Sequence, residues 1–411
     1  MAGEFCKFLQ ASDLHLEQPL YGLTEVPEHL RELLLEAPLQ AAARVFETAI
    51  LEDVDFVILA GDVINPHTAG PHAMAFLLDQ FEQLRDHKIA VYWCGGREDP
   101  PEVWPEAVPL PENVQRFPKG KVKPLIHRSG EQPLARIVGV SSPADGLVPV
   151  GDFRIEPANM FTVAVACGET DAASAGAHKQ IDYWALGGRH ESKTLFQGPQ
   201  TAHYAGSPQG RCPGESGPHG CTLVHVEHGR KARTKFIATE TVRWRNESLS
   251  LAADSNRNDL QRQLRSAMQR IASEAGGAAV LVAWQIHGCE TLVRQLRRGE
   301  LGRELSEWLR TEFGRAKPTV WTTALQTQTS ETIADELYEE DTILGDFLRA
   351  IRDHEQEPSR TLNMAAFLPD LGKNRALASA LQAVDRDERR TLLHEAARLG
   401  LDLLIGEDTL A

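Results

Sequence analysis

The sequence predicts an α/β fold for residues 1–243, a small α+β unit for residues 245–330 and a helical region for residues 331–411. Short apolar runs with helical segments between them indicate the α/β part. Alternating helix and strand patterns after Trp244, and helical periodicity from Glu331 onward, indicate the other two. A chain of 411 residues is long enough for two or three domains, each with its own core.

In the first part, apolar runs bounded by Gly, Asp and Pro predict buried strands, because their lengths suit strands better than helices. The runs are Phe5–Ala11, Phe56–Ala60, Ile89–Cys94, Ala135–Val140, Phe161–Ala166 and Tyr183–Leu186. Two helical patterns, His29–Asp53 and His72–His87, lie between the first three runs. The chain is therefore expected to begin β-α-β-α-β.

Two more strands are predicted at Cys221–Glu227 and Lys235–Val242, with a polar turn between them. The preceding residues 206–220 are too rich in Gly and Pro for regular structure, which indicates a loop. The α+β unit is predicted from four elements: helix Leu260–Ala272, strand Ala278–His287, helix Leu301–Phe313 and strand Thr319–Leu325.

Composition restricts the function and the compartment. A formal net charge of −15 argues against a chain that coats nucleic acid through bulk electrostatics. The six cysteines lie far apart in the sequence, so we expect reduced thiols rather than a disulfide framework. No apolar stretch is long enough to span a membrane, and the N-terminus carries no basic leader, so we expect a cytoplasmic protein without membrane contact.

Metal-ligating residue types follow two of the predicted strands directly. The first strand ends in Ser12–His15, sequence SDLH, and the second ends in Gly61 and Asp62. Sites collect at the carboxyl edge of an α/β sheet, where both motifs would lie. Asp13 and His15 alternate by two, so on an extended chain their side chains face the same way and can hold one ion. The two motifs together predict a metal site.

Two later strands end in related sequences, CGGREDP at residues 94–100 and IDYWALGGRH at residues 181–190. With these motifs the chain resembles the calcineurin-like metallophosphoesterases, most closely the SbcD-type nuclease subunit of double-strand-break repair complexes. That family has DxH, GD, GNHD, a lone His after a strand, and GHxH. Tyr204–Gln209 and Leu337–Ile351 also resemble family segments, so the likeness spans nearly the whole chain.

The resemblance implies a four-layer α-β-β-α sandwich for residues 1–243, a cap for residues 245–330 and, for residues 331–411, docking of a partner ATPase. It also implies the ligands of the family's first metal. These fall on Asp13, His15, Asp62 and His190, and all four are present. Two carboxylates and two imidazoles suit one divalent ion, with Mn²⁺ expected first and Fe or Zn²⁺ as alternatives.

The resemblance implies that the second metal site of the family lacks most of its ligands in this chain. Its Asn, its lone His and the first His of GHxH fall on Gly96, Cys167 and Gly188. Glycine offers no side-chain donor, so we expect the second ion to be absent, and restoring the family residues should rebuild its site. The catalytic His of GNHD falls on Arg97, which could clamp a phosphate or replace the missing cation beside Asp62. The plainer interpretations are that Cys167 is a small buried residue and Arg97 a surface arginine.

Two functions follow from the resemblance. One is a metal-dependent phosphodiesterase or DNA repair exonuclease, working on one ion with weakened or lost hydrolysis. The other is a non-catalytic subunit that binds DNA ends or an ATPase of the SMC-like, SbcC type. Homodimerisation stays open. An apolar stripe in the last helical stretch either packs on the chain's own core or awaits a partner: Leu392, Leu393, Ala396, Leu399 and Leu403.

Overall fold

The computed structural model describes residues 4–141, 146–157, 159–227, 230–327, 333, 335–356 and 386–404. The chain divides into two compact units. The first comprises Met1–Asn246, Met268–Ala283 and Phe313–Thr323, and the second comprises Glu247–Ala267, Trp284–Glu312 and Ala324–Ala411. Residues 245–330 thus contribute to both units, and the three-part domain division stays a prediction.

Two six-stranded sheets form the centre of the first unit. The first sheet has the order β12-β11-β1-β2-β3-β4 and the second the order β5-β6-β7-β8-β10-β9. The first contains β1 (Glu4–Ala11), β2 (Phe56–Ala60), β3 (Ala90–Cys94), β4 (Val114–Arg116), β11 (Gly220–Glu227) and β12 (Ala232–Ala238). The second contains β5 (Lys123–Ser129), β6 (Gln132–Gly139), β7 (Phe161–Cys167), β8 (Tyr183–Gly187), β9 (Lys193–Gln197) and β10 (Thr201–Tyr204).

Helices cover the outer faces of the two sheets. The helices α1 (Glu28–Leu51) and α2 (Pro71–Asp86) share a buried apolar cluster with the first sheet, in which Phe46 and Phe81 pack near Val57. A second cluster, which includes Phe8 and Tyr183, fills the space between the sheets. The outer face of the second sheet packs against the short helix α3 (Ala172–Gly176) and neighbouring loops. The predicted α-β-β-α sandwich is confirmed.

Alternation along β1 explains how one strand serves two layers. Leu9 packs in the helix-side cluster, whereas Phe8 packs between the sheets, as side chains on successive strand residues point to opposite faces. Gln10 faces the second sheet and is fully buried. Its amide donates to the carbonyl oxygens of Leu186 and His203, and its oxygen accepts from the Tyr183 hydroxyl. The buried amide of Gln10 therefore has hydrogen-bond partners for both its nitrogen and its oxygen.

Parallel pairing brings the motifs to common sheet edges. β1, β2 and β3 are parallel in the first sheet, as are β6, β7 and β8 in the second. Since the carboxyl ends of parallel strands lie at one edge, residues after Ala11, Ala60 and Cys94 meet there. Cys167 and Gly187 end the corresponding strands of the second sheet.

The remaining elements follow β12 along the chain. They are β13 (Val242–Ser250), α4 (Arg257–Glu274), β14 (Ala279–His287), α5 (Glu290–Arg297), α6 (Glu300–Phe313), β15 (Val320–Thr327), α7 (Asp335–Glu339), α8 (Ile343–Gln356) and α9 (Arg386–Leu404). The three strands form a sheet with the order β13-β14-β15. Within the second unit, Leu344 and Leu348 of α8 share a buried cluster with Ala397 of α9. None of the helices in the described ranges has the length and apolarity needed to cross a bilayer.

Several boundaries differ from the prediction. The predicted strand Lys235–Val242 was wrong in its second part, because residues 239–241 are not in a strand and separate β12 from β13. The strands β5 and β9 were not foreseen, since their exposed edge positions give no apolar run. The expected free thiols are confirmed for all six cysteines.

Candidate metal centre

The first motif leaves β1 in an unusual backbone conformation. Asp13 and His15 have φ values of 55° and 43°, and Asp62 after β2 has a φ of 51°. This left-handed region costs energy for residues other than glycine, and such strain is concentrated at functional sites. Hydrogen bonds hold it in place: Asp13 N donates to Gly61 O at 2.9 Å, and His15 N donates to Asp62 O at 3.0 Å. The two strand ends therefore fix each other.

Three of the four predicted first-site ligands converge. One ligand atom from each of Asp13, His15 and His190 lies within 4.8 Å of the other two. His15 is 6% exposed, and neither of its buried ring nitrogens has a hydrogen-bond partner among the described residues. Buried polar atoms normally have partners, so these nitrogens indicate a ligand. One carboxylate and two imidazoles fit a divalent transition metal ion.

The electrostatics of the cluster favour a cation. Burial and the nearby charge of Asp62 together raise the pKa of Asp13 to about 6, although the charge of His190 opposes the shift. Burial and the nearby charge of Arg211 together lower the pKa of His15 to about 3. His15 is therefore neutral near neutral pH, as a metal ligand must be. A bound cation would also stabilise the ionised form of Asp13.

Asp62, the fourth predicted ligand, lies beside this cluster but outside the group of atoms within 4.8 Å. Its Oδ1 accepts a hydrogen bond from Glu98 N at 2.7 Å, and its Oδ2 lies 3.9 Å from Cys167 Sγ. Burial raises the pKa of Asp62, since a charged carboxylate loses hydration there. Asp62 therefore faces the second half of the predicted site.

Asp99, which the sequence reading did not single out, ties the second and third motifs together. Its carboxylate accepts from the backbone N–H groups of Asp62 at 2.8 Å, Val63 at 3.1 Å and Gly96 at 2.6 Å. It also accepts from Trp93 Nε1 at 2.8 Å. Burial raises the pKa of Asp99 to about 6, and the charge of Asp62 adds to this effect. Its place at the end of the GGRED run was the available signal.

The second half of the predicted site, at Gly96 and Gly188, is crowded by the Asp62 carboxylate and by backbone. A Cβ on Gly96 would lie 2.6 Å from Asp62 Cγ. Gly188 has a φ of 90°, and a Cβ there would lie 2.9 Å from Gly168 N. Gly188 N instead donates to both carboxylate oxygens of Asp13, at 3.1 and 3.0 Å. The expectation that restored side chains rebuild this half therefore meets a steric obstacle.

Cys167 and Arg97 lie at opposite extremes of exposure. Cys167 is 3% exposed, and burial raises the pKa of its thiol well above the ordinary value. The Arg97 side chain is 80% exposed, and its Nε lies 3.5 Å from Glu98 Oε1. The contact of Arg97 is thus an ion pair at the surface, and its role as a substitute cation beside Asp62 stays a prediction.

His190 has two charged neighbours that the sequence reading missed. Its Nδ1 lies 2.7 Å from Glu215 Oε1, and the other carboxylate oxygen of Glu215 accepts from Arg211 N at 2.7 Å. Burial acts to raise the pKa of Glu215, but hydrogen bonds from His190 and Arg211 outweigh it and lower the pKa to about 2. Both residues come from the segment predicted as a plain loop, where an Arg and a Glu four residues apart were the only signal.

A cavity of about 650 Å³ adjoins this network. His190 and Glu215 line it together with His219 and Phe236. His219 is anchored by hydrogen bonds between its Nδ1 and Ser207. The cavity gives a small ligand access to residues that contact the metal-ligand cluster.

Comparison with known proteins gives one informative relative. No family model matches the chain. The chain is 27% identical over 338 residues to the uncharacterized metallophosphoesterase YhaO of Bacillus subtilis, covering 78% of this chain and 81% of that protein. This relative supports the metallophosphoesterase superfamily. The likeness to that relative extends well beyond the motif segments, since it covers most of both chains.

Solved structures also resemble the chain, at low scores. A dimetal phosphatase from Danio rerio has a TM-score of 0.35 and 9% identity, covering 58% of this chain and all of that one. A novel archaeal phosphodiesterase has a TM-score of 0.31 and 12% identity, covering 56% of this chain and 99% of that one. At such low TM-scores these likenesses carry no further conclusion.

Proposed function

We propose that this protein is a metal-dependent phosphoesterase that acts on phosphodiesters with one divalent ion. The observation that carries the proposal is the convergence of Asp13, His15 and His190 around two buried, unpartnered ring nitrogens of His15. The superfamily-level similarity to a curated metallophosphoesterase supports it. Mn²⁺ is the first candidate, with Fe or Zn²⁺ as alternatives, because the ligand set is mixed carboxylate and imidazole.

The chain's own residues prepare this site. When bound, a divalent ion would polarise a phosphoryl oxygen and acidify a water molecule. Asp13 is oriented by the two hydrogen bonds from Gly188 N, and neutral His15 presents free nitrogens. Glu215 accepts from His190 Nδ1, which orients the ring and leaves Nε2 for a ligand. These contacts keep the ligands in place before any ion arrives.

The same proposal includes a degenerate second site. The Asp62 carboxylate crowds Gly96, backbone crowds Gly188, and burial raises the pKa of the Cys167 thiol so that it stays protonated. Without a second ion the protein lacks the clamp on both the attacking and the leaving oxygen. Arg97 stands where the resemblance expects an acid for the leaving group. Hydrolysis should therefore be slow, and fastest with leaving groups that need no protonation.

The macromolecular substrate and the partners belong to the proposal as well. DNA ends and an SMC-like ATPase are expected from the resemblance of the motifs and of Leu337–Ile351. In α9, Leu393 is buried, whereas Leu392, Leu399 and Leu403 are 50%, 43% and 61% exposed. The predicted stripe thus serves the core in part and offers apolar surface in part. The alternative is a non-catalytic subunit that binds DNA ends or the ATPase.

Metal analysis combined with two activity assays tests the function. Purified protein equilibrated with Mn²⁺ should hold about one ion per chain, since one half of the site has ligands. It should hydrolyse bis-p-nitrophenyl phosphate slowly and cleave end-labelled DNA in single turnover. Metal binding without hydrolysis would favour the non-catalytic alternative. Absence of metal binding would refute the phosphoesterase proposal, and two well-occupied ions would refute the degenerate second site.

A further inference from the structure

Arg211 is a buried cation next to the metal-ligand cluster. It is 3% exposed, and its Nη1 donates to Gln18 Oε1 at 2.7 Å. Its Nη2 lies 3.0 Å from each ring nitrogen of His190 and 3.6 Å from Glu215 Oε1. Its Nε is buried and has no hydrogen-bond partner among the described residues. A buried guanidinium with an unused donor indicates an acceptor that is yet to bind.

The hydrogen-bond capacity of His190 shows where that acceptor belongs. Glu215 Oε1 lies 2.7 Å from His190 Nδ1, and a carboxylate oxygen accepts, so Nδ1 donates in this hydrogen bond. The lone pair of Nε2 is the remaining acceptor of the ring, and a metal ion would take it. A guanidinium has donors only, so a metal-loaded His190 offers Arg211 no acceptor. Nη2 and Nε are then both available to an anion beside the cluster.

We propose that Arg211 binds a non-bridging oxygen of the substrate's phosphoryl group beside the cluster of Asp13, His15 and His190. This inference rests on the proposed function. The planar fork of an arginine matches two phosphoryl oxygens, and its charge persists at any working pH. The cation would supply part of the positive charge that a second ion gives in a two-metal site. Gln18 and Glu215 hold the guanidinium, so little side-chain freedom is lost on binding.

The position of Arg211 distinguishes it from Arg97. Arg97 is solvated and pairs with Glu98 at the surface, where binding a phosphate would cost side-chain freedom. Arg211 is enclosed, and its neighbours His190 and Glu215 both line the cavity of about 650 Å³. A phosphoester in that cavity reaches the residues that position the guanidinium.

Binding of inorganic phosphate tests this assignment without turnover. Calorimetry measures the binding of inorganic phosphate to three Mn²⁺-loaded proteins: wild type, Arg211→Gln and Arg211→Lys. Electron paramagnetic resonance measures their Mn²⁺ affinity separately. Loss of a charge-assisted pair should weaken phosphate binding about 10- to 100-fold in Arg211→Gln. Arg211→Lys keeps the charge but loses the fork, so its loss should be smaller. Mn²⁺ affinity should stay within about threefold of wild type in both variants.

Arg136→Gln is the matched control, because Arg136 is a buried arginine of β6 bonded to Thr162 and Glu156, in the second sheet. It should leave phosphate affinity unchanged. Unaltered phosphate binding in Arg211→Gln would overturn the assignment, and so would a parallel loss of Mn²⁺ affinity, which would mark a structural role. If Arg211→Gln fails to fold, the Arg211→Lys comparison decides: wild-type phosphate affinity there overturns the assignment.

The outcome is separable from that of the proposed function. If wild type loads no Mn²⁺, the phosphoesterase proposal fails, but the same phosphate titrations of metal-free protein still compare the variants, because the arginine charge needs no ion. Weaker phosphate binding by Arg211→Gln would then support an anion site on its own. Wild type that binds no phosphate in either form overturns the role of Arg211.

Discussion

Both halves of the candidate site lie at the carboxyl ends of sheet strands, but their local structures differ. In the half formed by Asp13, His15 and His190, the two ring nitrogens of His15 lie buried without partners in the described structure. In the half formed by Gly96, Cys167 and Gly188, backbone and side chains fill the space. The half around His15 has unpaired groups that a ligand can bind, and we call it the open half. The half around Gly96 is occupied by protein atoms, and we call it the closed half.

Where glycine stands in place of a ligand that the resemblance expects, the structure also has no space for the missing side chain. At Gly96 the backbone lies so close to Asp62 that a Cβ has no room, and Asp62 Oδ1 accepts a hydrogen bond from Glu98 N. Asp99 fixes this arrangement through three backbone N–H groups. The closed half is therefore held together by hydrogen bonds among its own groups.

The largest effect is expected from Asp13→Ala. This change removes the carboxylate of the open half, leaving two imidazoles to hold a divalent ion. We expect Mn²⁺ binding and any phosphodiester hydrolysis to be abolished, as measured by metal analysis and by bis-p-nitrophenyl phosphate turnover. Asp86→Ala, at an exposed position of α2, is the control and should change neither. Retained Mn²⁺ binding in Asp13→Ala would mean that the open half does not hold the ion.

A smaller loss is expected from Glu215→Gln. The amide oxygen can still accept from His190 Nδ1, but the carboxylate charge that orients and polarises the ring is gone. Mn²⁺ affinity should fall about 10- to 100-fold, as for other partners of metal-bound histidines. Glu47→Gln, on the exposed face of α1, provides the matched charge change. Equal affinities of the two variants would remove Glu215 from the account of the site.

The closed half predicts that rebuilding will not succeed. A variant combining Gly96→Asn, Arg97→His, Cys167→His and Gly188→His supplies the family residues, yet two of them have no room for a Cβ. Metal content should stay at or below one ion per chain, and the midpoint of thermal unfolding should fall. The strain at the positive φ of Gly188 alone should cost about 1 kcal/mol or more. Two bound ions in this variant would show that the backbone adapts and that the half is not closed.

The last prediction is an unreactive thiol. Cys167 is buried and the pKa of its thiol is raised, so it should stay protonated and protected at about pH 8. Iodoacetamide should modify the half-buried Cys212 first, and Cys167 only in denaturant, as peptide mass spectrometry would reveal. Buried Cys221 in β11 serves as an internal control of native burial. Rapid labelling of native Cys167 would contradict the closed half.

The sequence predicted the parts of the site that depend on local pattern. Apolar runs placed the ends of β1, β2, β3 and β8 within about a residue, and the motifs follow those ends. Asp13 follows β1 of the first sheet and His190 follows β8 of the second, and the packing of the two sheets brings them together. The third and fourth motifs were recognised by their likeness to GNHD and GHxH, since no periodicity distinguishes GGRED or GGRH from an ordinary loop.

What the sequence by itself determined is the inventory: strands in an α/β sandwich, ligand types at their ends, and glycines where the second ion's ligands would stand. Only the tertiary structure decided which charges face the cluster. It placed Arg97 in solvent, turned Asp62 towards Glu98, and brought Arg211 and Glu215 onto His190. The physical reason is that these contacts join residues far apart in the chain or lying in irregular loops, where the backbone path, not a repeating pattern, sets the direction of each side chain.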